Sequence, residues 1–232
     1  MVNITWLGHG TYQFQLATGE VYVVDPWIEG NPTFPQGHVF SRIDGILLTH
    51  AHFDHVGDVI RLASQFSAPV AAIYELATWL GGKGVGHVVG FNKGGSVMLG
   101  PLKATMTHAL HSSGILEDGK FIYGGEAAGF MLTFPDGRVA YCAGDTTVFS
   151  DMALYSELYQ PELAFLPIGD LYTMAPKEAA FACQMIKAKK VIPVHWGTFP
   201  ALTGTPEELA RLIEGKVDTA VWQLEPGKTV SW

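Results

Sequence analysis

Cysteine is almost missing from this chain of 232 residues: Cys142 and Cys183 stand alone and far apart. Two such residues make neither a disulfide framework nor a C-x-x-C redox pair, and both are expected to be reduced and buried. Charge is scarce too, with Asp, Glu, Lys and Arg at 16% of the residues. Only 14 side chains are Lys or Arg against 22 acidic ones, a net charge of −8, and the densest basic stretch is Lys187, Lys189 and Lys190. That leaves no basic patch for a polyanion and excludes a nucleic-acid-binding module. No apolar run approaches the ~18 residues of a membrane span. The opening Met1-Val2-Asn3-Ile4-Thr5-Trp6-Leu7 also lacks the basic and long apolar segments of a secretory signal. A soluble cytoplasmic protein is expected, with no nucleic-acid or membrane partner; assembly into a homo-oligomer stays open.

What is plentiful is apolar: 48% of residues are hydrophobic, enough for a large core and against intrinsic disorder. Nine histidines are the compositional oddity. Short strands rich in Ile, Val, Tyr, Phe and Thr are predicted at Asn3–Leu7, Thr11–Leu16 and Glu20–Val24, followed by a Pro- and Gly-bearing loop from Pro26 to Ser41. Gly45–Leu48 reads as a buried strand and Val56–Phe66 as an amphipathic helix. Val70–Ile73, Ser96–Leu99, Leu102–Thr107, Phe121–Tyr123, Phe130–Phe134, Val139–Cys142, Leu163–Pro167 and Val191–Val194 read as further strands. Helices are predicted at Glu75–Leu80, Phe149–Tyr159 and Lys177–Lys187, and another starts at Thr205 as N-cap with Pro206 next and Glu208 completing a capping box. No linker divides the chain, so residues 1–232 are read as one α/β domain: two packed sheets with helices outside.

The densest chemistry lies in Thr49-His50-Ala51-His52-Phe53-Asp54-His55. An H-x-H-x-D-H pattern is expected by chance only about 0.0006 times in this composition. If the segment is extended, His50, His52 and Asp54 project to one side, with His55 reaching the pocket from the turn that follows. Imidazoles and a carboxylate suit zinc, and also manganese, iron or nickel. These four residues cannot complete two metal sites. The remaining candidates follow apolar strands: His108 or His111, then Asp145, then His195. Around them, His9 in a Gly-His-Gly turn is a pocket candidate. Asp25 could accept the free ring N–H of a ligand histidine. Asp170 and Tyr172 sit on a loop at the same presumed edge. Trp27, Trp196 and Phe199 suit either an apolar wall or the core, and Lys83, Lys93 and Lys120 read as solvated charges.

Four motifs, T-H-A-H-x-D-H-x-G from Thr49, H-S-S-G from His111, A-G-D-T from Ala143 and P-V-H-W-G from Pro193, resemble the metallo-β-lactamase superfamily. Trp6-Leu7-Gly8-His9-Gly10 and Val24-Asp25-Pro26-Trp27 narrow the resemblance to a branch of small metal-dependent hydrolases that includes ascorbate-phosphate lactonases and is related to phospholipase-D-like phosphodiesterases. The resemblance runs from about residue 3 to 230. It implies a four-layer αββα sandwich of two mixed sheets, metallo-β-lactamase fold, with two divalent ions per chain. His50, His52 and His111 would hold the first ion and Asp54, His55 and His195 the second, with Asp145 bridging; Asp54 and Asp145 carry the catalytic carboxylates. His111 matches the family context better than His108.

The function that the resemblance implies is hydrolysis of a small-molecule lactone or ester, because that branch includes a lactonase. Two ions ~3.5–4 Å apart would lower the pKa of a shared water toward neutrality and supply the attacking, metal-bridging hydroxide. Alternatives are a phosphodiesterase on a small phosphorylated substrate, a non-catalytic metal-binding protein, and a diiron oxygen-chemistry site.

Overall fold

The computed structural model describes every residue from Met1 to Trp232. One mixed sheet contains β1 (Val2–Trp6), β2 (Tyr12–Leu16), β3 (Val21–Val24), β4 (Gly45–Leu47), β5 (Val70–Ile73) and β6 (Val88–Phe91), in that spatial order, with β16 (Thr229–Ser231) closing the β1 side. The other contains β7 (Ser96–Leu99), β8 (Leu102–His108), β11 (Ala128–Thr133), β12 (Val139–Cys142), β13 (Leu163–Pro167), β14 (Lys190–Val194) and β15 (Ala220–Val221), ordered β15-β14-β13-β12-β11-β8-β7. Strands β9 (Gly114–Glu117) and β10 (Lys120–Tyr123) form a separate hairpin. Helices α1 (Phe53–Val56), α2 (Val59–Phe66) and α3 (Tyr74–Gly82) belong to the first half, and α4 (Asp151–Tyr159), α5 (Pro176–Ile186) and α6 (Pro206–Ile213) to the second. No helix is long and apolar enough to cross a membrane.

Alternation along the strands explains the layering. In β13, Leu163 and Phe165 enter a core of 43 buried residues that fills the space between the sheets and under α2 and α3. Ala164 and Leu166 enter a second core of 17 buried residues beneath α4, α5 and α6. A strand apolar on both faces is covered on both faces, as the α/β reading expects. The two-sheet, helix-flanked architecture of the sequence analysis is the one observed. Both cysteines are free and buried.

Strand direction decides where chemistry can gather. β1 and β3 are both antiparallel to β2, and β4 is parallel to β3, so β1, β3 and β4 point the same way. In the other sheet β8 and β12 are both antiparallel to β11, with β13 and β14 parallel to β12. The segments after β1, β3, β4, β8, β12 and β14 carry His9, Asp25, His50, His111, Asp145 and His195. Within each sheet these residues therefore emerge at one edge, beyond the carboxyl ends of the strands, where open α/β sheets place their sites.

Several expected elements change. The helix expected over Val56–Phe66 is two pieces, α1 and α2, interrupted at Gly57 and Asp58. Asp58 accepts hydrogen bonds from the Ile28 and Glu29 amides, tying the long loop to the helix start. The segment through Asp54 is not extended: His52 is the extended N-cap of α1, and Asp54 lies in its first turn. Thr205 caps α6 by accepting from the Glu208 amide. Strands β6, β9, β15 and β16 are additional to those expected.

Candidate metal centre

Two groups of side chains face one another across the sheet edge. In the first, His50 Nε2 lies 3.1 Å from His52 Nδ1, and His111 Nε2 lies 3.3 Å from the same atom. The second gathers His9, Asp54, His55 and His195, with ligand-type atoms all within 4.8 Å of one another. The helical turn that breaks the expected extended run sorts them: His52, before the turn, stays with His50, whereas Asp54 and His55, inside it, go to the other group. Gly10 makes room for this, because a Cβ there would stand 2.7 Å from His55 Cε1.

Asp145 stands between the groups. Its Oδ2 is 3.0 Å from His195 Nε2 and 3.4 Å from His55 Nε2, and also 3.7 Å from His111 Nε2 and 3.9 Å from His50 Nε2. Burial opposes ionisation of this carboxyl, but His195 and His55 outweigh it and hold Asp145 well below the usual carboxylate range.

Asp25 governs one histidine of each group. Its Oδ2 accepts from His55 Nδ1 at 2.8 Å and from Thr49 Oγ1 at 2.6 Å, and its Oδ1 accepts from the Thr49 amide at 2.8 Å. Since the Thr49 hydroxyl hydrogen goes to Asp25, that oxygen is left to accept from His50 Nδ1–H at 3.0 Å. Both rings thereby turn Nε2 inward, the orientation a ligand histidine needs. We expect Asp25→Asn to weaken metal affinity at both groups by about 10–100-fold, because an amide replaces an acceptor that serves two donors. Chelator competition on the variant checks this; unchanged affinity would separate Asp25 from the centre.

His9 holds Asp54. Its Nε2 lies 3.0 Å from Asp54 Oδ2 and its Nδ1 lies 2.9 Å from Thr198 Oγ1. Burial, against the opposing Asp54 hydrogen bond, lowers the His9 pKa to about 4, so the ring is neutral near pH 7. Its one N–H then donates to the carboxylate, and Thr198 donates to Nδ1. Asp54 itself, despite burial, is held well below the ordinary range by that bond and by His55. His195 is seated differently: its ring packs on the His9 ring at 3.9 Å between centroids, and its amide donates to the His9 carbonyl.

These donors fit cations. Nitrogens bound to one tetrahedral ion at about 2.05 Å sit about 3.3 Å apart, close to the spacings around His52. Burial keeps His50, His52 and His111 below the ordinary imidazole range, hence neutral with lone pairs free. His55 Nε2 is buried without a hydrogen-bond partner and faces a carboxylate oxygen. Its own pKa, lowered by burial, is raised on balance by Asp145 and Asp25, showing that the position favours positive charge. Nitrogen and oxygen donors without thiolate suit zinc, manganese, iron or nickel.

Not every candidate joins. His108, the last residue of β8, lies 3.0 Å from Lys93 Nζ and edge-on to Phe149, apart from both groups. Asp170 and Tyr172 also stay out. The chain takes left-handed φ values of 68° at Asp170 and 53° at Leu171, which leaves Asp170 Oδ1 accepting from the Leu171 amide and Tyr172 exposed. Trp27 and Trp196 are packing residues, against His9 and Trp6 respectively. Thr49 stands in the sequence only as the residue that opens the histidine motif, and no local pattern marks Thr198 as the partner of His9.

The family model of the Beta-lactamase superfamily domain matches residues 21–196. A UPF0173 metal-dependent hydrolase of Solibacter usitatus is 59% identical over 231 residues, covering 100% of both chains. Another, from Herpetosiphon aurantiacus, is 50% identical and covers 97% of this chain and 96% of its own. Among solved structures, Igni18, a metallo hydrolase from the archaeon Ignicoccus hospitalis, superposes with a TM-score of 0.87 at 32% identity, covering 99% of this chain and 97% of that one. Fold, clustered donors and these relatives agree: the chain belongs to the beta-lactamase superfamily, among its metal-dependent hydrolases of metallo-β-lactamase fold.

Proposed function

We propose that the chain is a binuclear hydrolase of a small-molecule lactone or carboxylic ester, working in the cytoplasm. In this reading His50, His52 and His111 hold one divalent ion, zinc before manganese, iron or nickel, and Asp54, His55 and His195 hold the other. The observation that carries it is the position of Asp145 Oδ2, 3.0–3.9 Å from two nitrogens of each group. When bound, two such ions supply an acidic water and polarise the attacked carbonyl.

The chain's own residues do the positioning. Asp145 sets the separation of the two groups, and its negative charge offsets the charge gathered there. Asp25 aims His50 and His55, and His9 keeps Asp54 ionised and oriented. The thiols are not nucleophiles: burial pushes Cys142 and Cys183 up to about 12.

The same arrangement can serve phosphoryl transfer, so the test is a panel of lactones, carboxylic esters and phosphodiesters, with and without chelator. Turnover of the carboxylic substrates is expected, abolished by chelator and by His52→Ala. Full turnover in His52→Ala protein, or turnover that survives metal removal, would contradict the reading. Phosphodiester turnover alone would replace the substrate class.

A further inference from the structure

Beside the first histidine group lies a cavity of about 510 Å³, lined by His52, His111 and Ser112 together with Phe121, Ile122 and Tyr123 of the β9–β10 hairpin. The volume suits a small-molecule ligand. Cross-strand pairing places Phe121 opposite Leu116 and Tyr123 opposite Gly114. Alternation then gives the hairpin two unlike faces. On one face Ile115 is buried and its partner Ile122 is 38% exposed, whereas on the other Phe121 is 80% exposed, Tyr123 67% and Leu116 64%.

The hairpin is fastened to the segment that carries the histidines. Ser113 Oγ accepts from the Ala51 amide, between His50 and His52, and the Ser113 carbonyl accepts from the Gly124 amide. Gly124 comes so close to Ala51 that a Cβ there would stand 2.4 Å from the Ala51 Cβ. These contacts fix the base of the hairpin beside the segment that carries His50 and His52, so its apolar face flanks His52 and His111.

Charge points the same way. The one carboxylate lining this cavity is Glu126, and the nearby Lys93 is already paired with it at 2.7 Å. Lys83 is paired with Glu117 of β9. The groove lining holds no Lys or Arg for a phosphorylated or carboxylated substituent: Lys93 and Glu126 neutralise one another, and Lys120 of β10 alternates to the face opposite Phe121.

We propose that this groove takes an uncharged apolar substituent of the substrate, aliphatic or aromatic, laid along Phe121 and Tyr123 while the scissile group faces His52 and His111. The proposal rests on the hydrolase reading and narrows it to apolar esters or lactones over phosphorylated ones.

The test uses alkyl hydroxamates, whose head group chelates metal while the tail varies, titrated calorimetrically into metal-loaded protein from acetohydroxamate to octanohydroxamate. Affinity should rise about two- to fourfold per methylene for a half to fully buried tail. Phe121→Ser, at an exposed position outside the core, should collapse the ratio of octano- to acetohydroxamate affinity, and Phe121→Leu should restore part of it. A phosphate-ended tail should bind more weakly than an uncharged tail of equal length. A flat series, an unchanged ratio in Phe121→Ser, or tighter binding of the phosphate tail would overturn the proposal. So would a Phe121→Ser variant that alters only subunit assembly, which would assign this face to a second copy of the chain. Ester turnover with a flat series refutes the groove alone. A tail-dependent series without turnover on any lactone or ester refutes the carboxylic-ester reading alone.

Discussion

Replacing Asp145 by asparagine is expected to leave the fold intact while removing the second ion and nearly all turnover. The side chain is 4% exposed, and asparagine matches its shape, so neither core loses volume. What changes is charge and proton count. Asp145 Oδ2 faces the Nε2 atoms of His195 and His55 at 3.0 and 3.4 Å, and both hold the carboxylate ionised. An amide puts either a neutral oxygen or an N–H there, and an N–H directed at two imidazole lone pairs competes with a cation for them. The loss should therefore exceed the ~10–100-fold typical of a side chain that only orients a ligand. Metal stoichiometry and a thermal unfolding scan on the variant read the two halves separately. Two ions per chain at unchanged affinity would show that another residue joins the groups.

His111→Ala should strip the first group, and His108→Ala should not. The two histidines are separated by Ala109 and Leu110 at the end of β8, and from the sequence in isolation either could serve. Position decides between them. His108 ends the strand paired with Ala128, and its ring turns to Lys93 and Phe149. His111 lies beyond the strand end, with its Nε2 3.3 Å from His52 Nδ1 and 3.7 Å from Asp145 Oδ2. We expect His111→Ala to lose metal as His50→Ala does, with turnover falling by at least the ~10–100-fold cost of losing a side chain that only orients a ligand. His108→Ala should keep both ions and cost no more than that. Metal content and turnover measured on the pair decide it; metal loss in His108→Ala with retention in His111→Ala would reverse the assignment.

The histidine cluster was legible because its density is local: four candidate donors fall within His50–His55. The strand-end positions of Asp145 and His195 were legible because apolar strands followed by turns are also local patterns; that pattern left His108 and His111 as alternatives, and the family context favoured His111. What could not be read is how distant segments meet. Asp25 reaches His50 only through Thr49, a relay that exists because β3 and β4 are parallel neighbours. His9 touches Asp54 because Gly8 and His9 both adopt left-handed φ, 90° and 52°, at the end of β1. The sorting of His52 from Asp54 follows from a helical turn where an extended run was expected. The β9 strand had a usable signal: Asp118-Gly119, with φ of 50° and 74°, is the two-residue turn that hairpins favour. Phe121 and Tyr123 of the neighbouring strand, rather than Trp27 or Trp196, are the aromatic residues that line the cavity.

Anomalous diffraction from crystals of the untagged, metal-loaded protein, recorded above and below the absorption edge of the metal, tests the two-ion centre most directly. Two anomalous peaks per chain are predicted, one among His50, His52 and His111 and the other among Asp54, His55 and His195, with Asp145 reaching both. A single peak confined to one group, or peaks away from Asp145, would contradict a shared binuclear centre.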